Sequence, residues 1–159
     1  MSDTKKKTGS EVRESEKKWG KPAIDAGFSI VPNMLLLKQH ALGIDCIDVV
    51  ILLQIAKHWW RADQSPYPSQ VQLAETMDVN LSTIKRHLNN LRRLGFISWD
   101  ARKRDDGGQT SNIYSLTGLV THLNRYAEEE LAARATVKEE RKERHARKRA
   151  RSSTPVAVS

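Results

Sequence analysis

The sequence predicts a mainly α-helical domain with one small β-hairpin. Three observations lead there. Ile84, Leu88 and Leu91, with Leu81 before them, recur at helical spacing inside a polar segment, which lays one apolar stripe along a helix. The run Asp45 to Trp60, DCIDVVILLQIAKHWW, is apolar on most faces and too long for an ordinary strand, so it reads as a buried central helix. Asp105-Asp106-Gly107-Gly108 is a tight-turn signal between two alternating stretches, Phe96 to Trp99 and Asn112 to Leu116, which together make a hairpin.

The chain has 159 residues, a formal charge of +8 and 38% apolar residues. That length favours one domain with tails. The apolar share is below the roughly 45–50% of fully globular chains, so part of the chain is expected outside a core. Residues 1–22 hold seven basic and four acidic side chains and are expected as a flexible basic arm. The domain proper is placed at 23–117, a packing or dimerising helix at 118–137, and a basic charged tail at 138–159. In this tail the spacing of Glu140 to Arg144 and Glu143 to Arg147 supports a solvated helix.

Within the domain, Phe28 to Val31 reads as a short extended piece before Pro32 and a short helix. Gly43 breaks the chain, and Asp45 is suited to cap the central helix. Asp63 to Pro68 is a loop with two prolines. Ser69 with Gln72 makes a capping-box pattern ahead of a short amphipathic helix holding Val71, Leu73, Ala74 and Met77. Asp78 marks a turn, Asn80 or Ser82 caps the next helix, and Gly95 ends it. Gly118 onward is helical again, through Leu119, Leu123 and Tyr126.

The order helix, short helix, tight turn, helix, hairpin is that of a winged helix-turn-helix. The stretch YPSQVQLAETMDVNLSTIKRHLNNLRRLGFI resembles the helix-turn-helix core of bacterial winged-helix DNA-binding proteins, of the type found in small regulators and in plasmid and phage replication initiators. The carrying residues are Pro68-Ser69, Leu73-Ala74, the turn residue Asp78, Thr83-Ile84 and Leu91 through Gly95. The motif spans 67–97, and the architecture covers about 28–117. Such families usually have glycine at the turn. Asp78 departs from this, but aspartate is among the few residues that tolerate a left-handed backbone.

The resemblance implies a protein that binds double-stranded DNA, with helix 81–94 in the major groove and wing 99–113 on the backbone or minor groove. On the outer face of the helix, Ser82, Thr83, Arg86 and Asn89 are the expected base readers. Ser69, Gln70, Lys85, Asn90, Arg92, Arg93, Arg102, Lys103 and Arg104 are the expected backbone contacts. A transcription regulator is the first expectation, a replication-initiation protein of a plasmid or phage the second, and a winged-helix protein adaptor the third. Leu119, Leu123, Tyr126 and Leu131 form a stripe that either packs back on the domain or makes a homodimer.

Other chemistry finds little support. The single cysteine, Cys46, excludes an internal disulfide and is expected to pack. His40, His58, His87, His122 and His145 show no metal-ligand spacing, and no nucleotide-binding loop or nucleophile motif occurs. No enzyme activity, metal or cofactor is expected. One of Trp59 and Trp60 is expected in the core. The longest purely apolar run, Val49 to Leu53, is far short of the ~20 residues of a membrane span. The first 22 residues lack the apolar stretch of a signal peptide. A cytoplasmic, nucleoid-associated protein is the expectation.

Overall fold

The computed structural model describes residues 14–103 and 109–152. Its order is α1 (14–19), α2 (Lys21–Asp25), α3 (Asn33–Leu37), α4 (Gln39–Leu42), α5 (Cys46–Ala56), α6 (Gln70–Met77), α7 (Leu81–Arg93), β1 (Ser98–Lys103), β2 (Gln109–Ser115) and α8 (Thr117–Ser152). The fold is a winged helix-turn-helix. The segment expected as an arm is helical from residue 14. Lys17 pairs with Glu14 at 2.6 Å, Pro22 opens α2, and Lys21 pairs with Asp25 at 2.6 Å. None of α2 is buried, so local pairing and capping, not a core, shape this segment.

Helix α5 is the central element. Val49, Ile51, Leu52 and Ile55 are buried, because apolar residues surround most of its circumference. It stops at Ala56, short of the tryptophans. Neither is in the core: Trp59 and Trp60 are both exposed, since they follow the end of the helix. Cys46 is also exposed, because it is the first residue of α5 and precedes its buried turns.

Helices α6 and α7 cross as the pattern predicts. Ser69 caps α6 by accepting from the Gln72 N–H at 3.0 Å. Asp78 takes the left-handed conformation, φ 52° and ψ 47°, which lets the Val79 N–H reach the Ala74 carbonyl at 3.0 Å. Leu73 and Ala74 are buried, and Ile84, Leu88 and Leu91 are fully so. Asn80 is the N-cap of α7, without a side-chain cap bond.

Strands β1 and β2 are antiparallel, with Ser98 opposite Ser115 and Asp100 opposite Ile113, and an irregularity between Arg102 and Lys103. The Tyr114 N–H donates to the Pro66 carbonyl at 2.8 Å, which ties the loop before α6 to the wing. Tyr114 is fully buried, and burial pushes its phenol above the ordinary pKa. Among the described residues its hydroxyl has no hydrogen-bond partner, although the Asn112 and Gln70 side chains partly offset the shift.

Helix α8 has 36 residues, about 54 Å at 1.5 Å per residue. It therefore runs unbroken through the boundary expected near residue 137. Leu119 and Leu123 are buried in this chain's own core, and Tyr126 packs against it, its hydroxyl 3.5 Å from the Ala41 carbonyl. They lie against the α3–α4 side of the domain, and Leu131 is left exposed. Three of the four stripe residues are thus used internally. From Leu131 to Arg149 every residue is exposed. Ion pairs one turn apart line this part: Arg134 with Glu130, Lys142 with Glu139, and Arg147 with Glu143, at 2.9, 2.6 and 3.3 Å. No helix among the described residues is long and apolar enough to cross a membrane.

Candidate nucleic-acid interface

Helix α7 presents two chemically different sides. Ile84, His87, Leu88 and Leu91 are buried. Ser82, Lys85, Arg86, Asn89, Arg92 and Arg93 are exposed, with Thr83 and Asn90 half-buried beside them. The fold therefore gathers the sequence-selected residues of this helix onto one accessible face. Some are already engaged. Arg93 donates to the Asn90 side-chain carbonyl at 2.7 Å. The Arg92 guanidinium lies 4.5 Å from the centre of the Trp99 ring, so a wing residue holds that guanidinium by a cation–π contact. Ser69 spends its hydroxyl oxygen on the α6 cap, and Gln70 is half-buried at the same helix start.

The wing is less completely placed. Arg102 and Lys103 lie in β1, paired through the strand register with Ser111 and Gln109. Arg104 lies outside the described residues.

A feature the pattern missed sits behind α7. His87 is buried, 7% exposed, and its Nδ1 lies 2.8 Å from Oδ1 of Asp48, itself 2% exposed. Asp48 also accepts from the Asp45 N–H at 3.1 Å, while Asp45 accepts from the Asp48 N–H at 2.9 Å. This reciprocal pair is a full capping box at the start of α5. With Asp48 accepting, the His87 proton sits on Nδ1, and Nε2 is left to accept from Arg86 Nη2 at 3.4 Å. A chain of contacts thus runs from the α5 cap to an expected base-reading arginine. Sequence distance hid it, because 39 residues separate Asp48 from His87. The one legible signal was a histidine three residues beyond Ile84 on the apolar side of the helix.

Asp45, Asp48 and His87 also place one potential ligand atom each within 4.8 Å of one another. Spacing along the chain gives no sign of this grouping, because His87 is 39 residues from Asp48. Its hydrogen bonds join α5 to α7, and each carboxylate caps the helix as well.

Comparison with known proteins agrees with this architecture. The DnaD N-terminal domain family matches residues 31–135. The replicative helicase loading/DNA remodeling protein DnaD of Bacillus subtilis (strain 168) is 29% identical over 102 residues, which cover 64% of this chain and 43% of that protein. The chain thus aligns with less than half the length of that relative. Two solved structures align more loosely. A possible transcriptional regulator from Methanosarcina mazei Go1 has a TM-score of 0.43 and 15% identity, over 65% of this chain and 82% of its own. MarR has a TM-score of 0.37 and 18% identity, over 74% and 88%. At these TM-scores neither bears on function. The family match takes in the central helix, the helix-turn-helix, the wing and the packed part of α8, and the chain belongs to the DnaD N-terminal domain family.

Proposed function

We propose that this chain is a double-stranded-DNA-binding domain that works in DNA replication, in the cytoplasm and on the nucleoid, by binding and not by catalysis. One observation carries the binding: α7 buries an apolar side and turns Ser82, Lys85, Arg86, Asn89 and Arg93 outward on a rigid support. A helix so presented fits the major groove, where arginine can hold guanine by two hydrogen bonds and asparagine can hold adenine. Residues 80–104 hold seven basic side chains and one acidic, so the charge suits a phosphate backbone. The B. subtilis relative, described as a helicase-loading and DNA-remodelling protein, supports replication over promoter control. Transcription regulation is the second reading, since the same α7 face would serve it.

Arg86→Ala is expected to cost about 1–3 kcal/mol and to relax discrimination at one base pair in a binding assay across sequence variants. Unchanged sequence preference would remove Arg86 from the base readers. Lys103→Ala is expected to weaken binding to all sequences alike and to lower the salt slope by about 1; an unaltered slope excludes a phosphate contact. Recovering the bound genomic fragments separates the two roles. Clustered repeats at an origin support replication, and palindromes at promoters support regulation. Failure to shift random duplex at low salt would favour a protein adaptor.

A further inference from the structure

We propose that the groove beside Trp60 takes an unpaired nucleobase, so that the domain holds single-stranded DNA next to the duplex on α7. This rests on the proposed DNA-binding function and deepens it.

After α5 the chain runs through a loop stiffened by Pro66 and Pro68, both buried, with the Pro66 carbonyl held by the Tyr114 N–H at 2.8 Å. This anchored loop does not hide its aromatic residues. Trp60 is 75% exposed and Tyr67 59%. They border a groove of about 540 Å³, which His58, Gln64, Pro68 and Gln72 also line. A large ring left in water loses the free energy of burial, so an occupant that covers it binds favourably.

The lining chemistry selects the occupant. Every base has a flat π-face, and stacking on an aromatic side chain contributes about 1–3 kcal/mol per base. The Gln64 and Gln72 amides can each donate and accept, which matches the edges of unpaired bases. Burial, with Lys57 beside it, lowers the His58 pKa, which keeps the ring neutral near pH 7 and able to stack or share a hydrogen bond. Arg61 is held by Asp63 at 3.1 Å, while Lys57, exposed and adjacent to His58 in the chain, is a further cation for a phosphate. Trp60 also borders a second groove, with Phe28, Ile30, Trp59 and Lys57. That one is the more apolar of the two and lacks the amides, so the groove with Gln64 and Gln72 is the one suited to a base.

Position joins the two sites. Gln72 is in the first turn of α6, next to Ser69 and Gln70, which are expected on the duplex backbone. A strand leaving the duplex there would meet Trp60 and Tyr67.

The test uses the whole 159-residue chain. Binding is measured to a blunt duplex, to the same duplex with a single-stranded thymidine extension of about eight nucleotides, and to the oligothymidine alone. The extension is expected to tighten binding about fivefold or more. Trp60→Ala should abolish this gain and leave the blunt-duplex Kd unchanged, while Trp60→Phe, which keeps a ring, should retain most of it. Equal Kd values for blunt and extended duplex overturn the proposal. So does a gain that survives Trp60→Ala, as expected if the groove holds a peptide, or a Trp60→Ala loss equal on both probes. If blunt duplex does not bind but oligothymidine does so through Trp60, the groove stands and the duplex function falls.

Discussion

Asp48→Ala is expected to destabilise the protein by about 2–4 kcal/mol, measured as a shift in the denaturant midpoint at unchanged slope. Three effects act together. The substitution removes the acceptor for the Asp45 N–H, so one donor at the start of α5 loses its cap. It leaves the His87 Nδ1–H buried without its carboxylate, which is the costlier loss, because a buried donor cannot turn to water. It also frees the ring on which Arg86 rests. Asp45→Ala should cost less, about 1 kcal/mol, since Asp45 is exposed and loses its cap and only a longer contact, 3.8 Å, with His87. Double replacement with Asp48→Ala and His87→Leu should cost less than the two single changes added, because neither member of the buried Asp48–His87 pair is then left without the other. Strict additivity would show that the two side chains do not act as a unit.

Gly118→Ala should be of similar size, about 2–4 kcal/mol, lowering the Tm by roughly 10–20 °C for a domain of this size. A Cβ at Gly118 would lie 1.8 Å from the Gly95 carbonyl oxygen and 3.0 Å from its carbon. Both obstacles are backbone, so no side chain can swing aside. The approach is fixed by the Leu119 N–H donating to the Phe96 carbonyl at 2.9 Å, which seats the start of α8 on the turn after α7. Gly95 itself has φ 77°, so that turn has little freedom to yield. Relief would move α8 and pull Leu119 and Leu123 from the core. A Tm within a degree or two of the parent protein would show that the two backbones do not pack this closely.

Much of the site was legible because local rules and burial agree there. The stripe of Ile84, Leu88 and Leu91 has one solution as a helix, and that solution alone turns Ser82, Arg86, Asn89 and Arg93 outward. Asp78 was readable as the turn because few residues other than glycine accept its φ of 52°. The hairpin followed from alternation around a Gly-Gly turn. The extent of α5 was harder. Trp59 and Trp60 follow Ala56 after only two polar residues, yet the helix ends at Ala56, so composition overstated both its length and the burial of the tryptophans. The α8 stripe was ambiguous for another reason. An apolar face on a helix must be covered, but periodicity does not name the cover.

By itself, the sequence determined the element order, the accessible face of α7 and the concentration of charge in residues 80–104, because helical period, turn chemistry and charge are local properties of a chain. Tertiary structure alone decided which residues of different elements meet. It joined Asp48 to His87 and so seated Arg86. It set Gly118 on Gly95, turned Leu119 and Leu123 inward, and left Trp60 in water beside the start of α6. Such contacts depend on how elements cross, and crossings follow from the packing of the whole core, which no local pattern records.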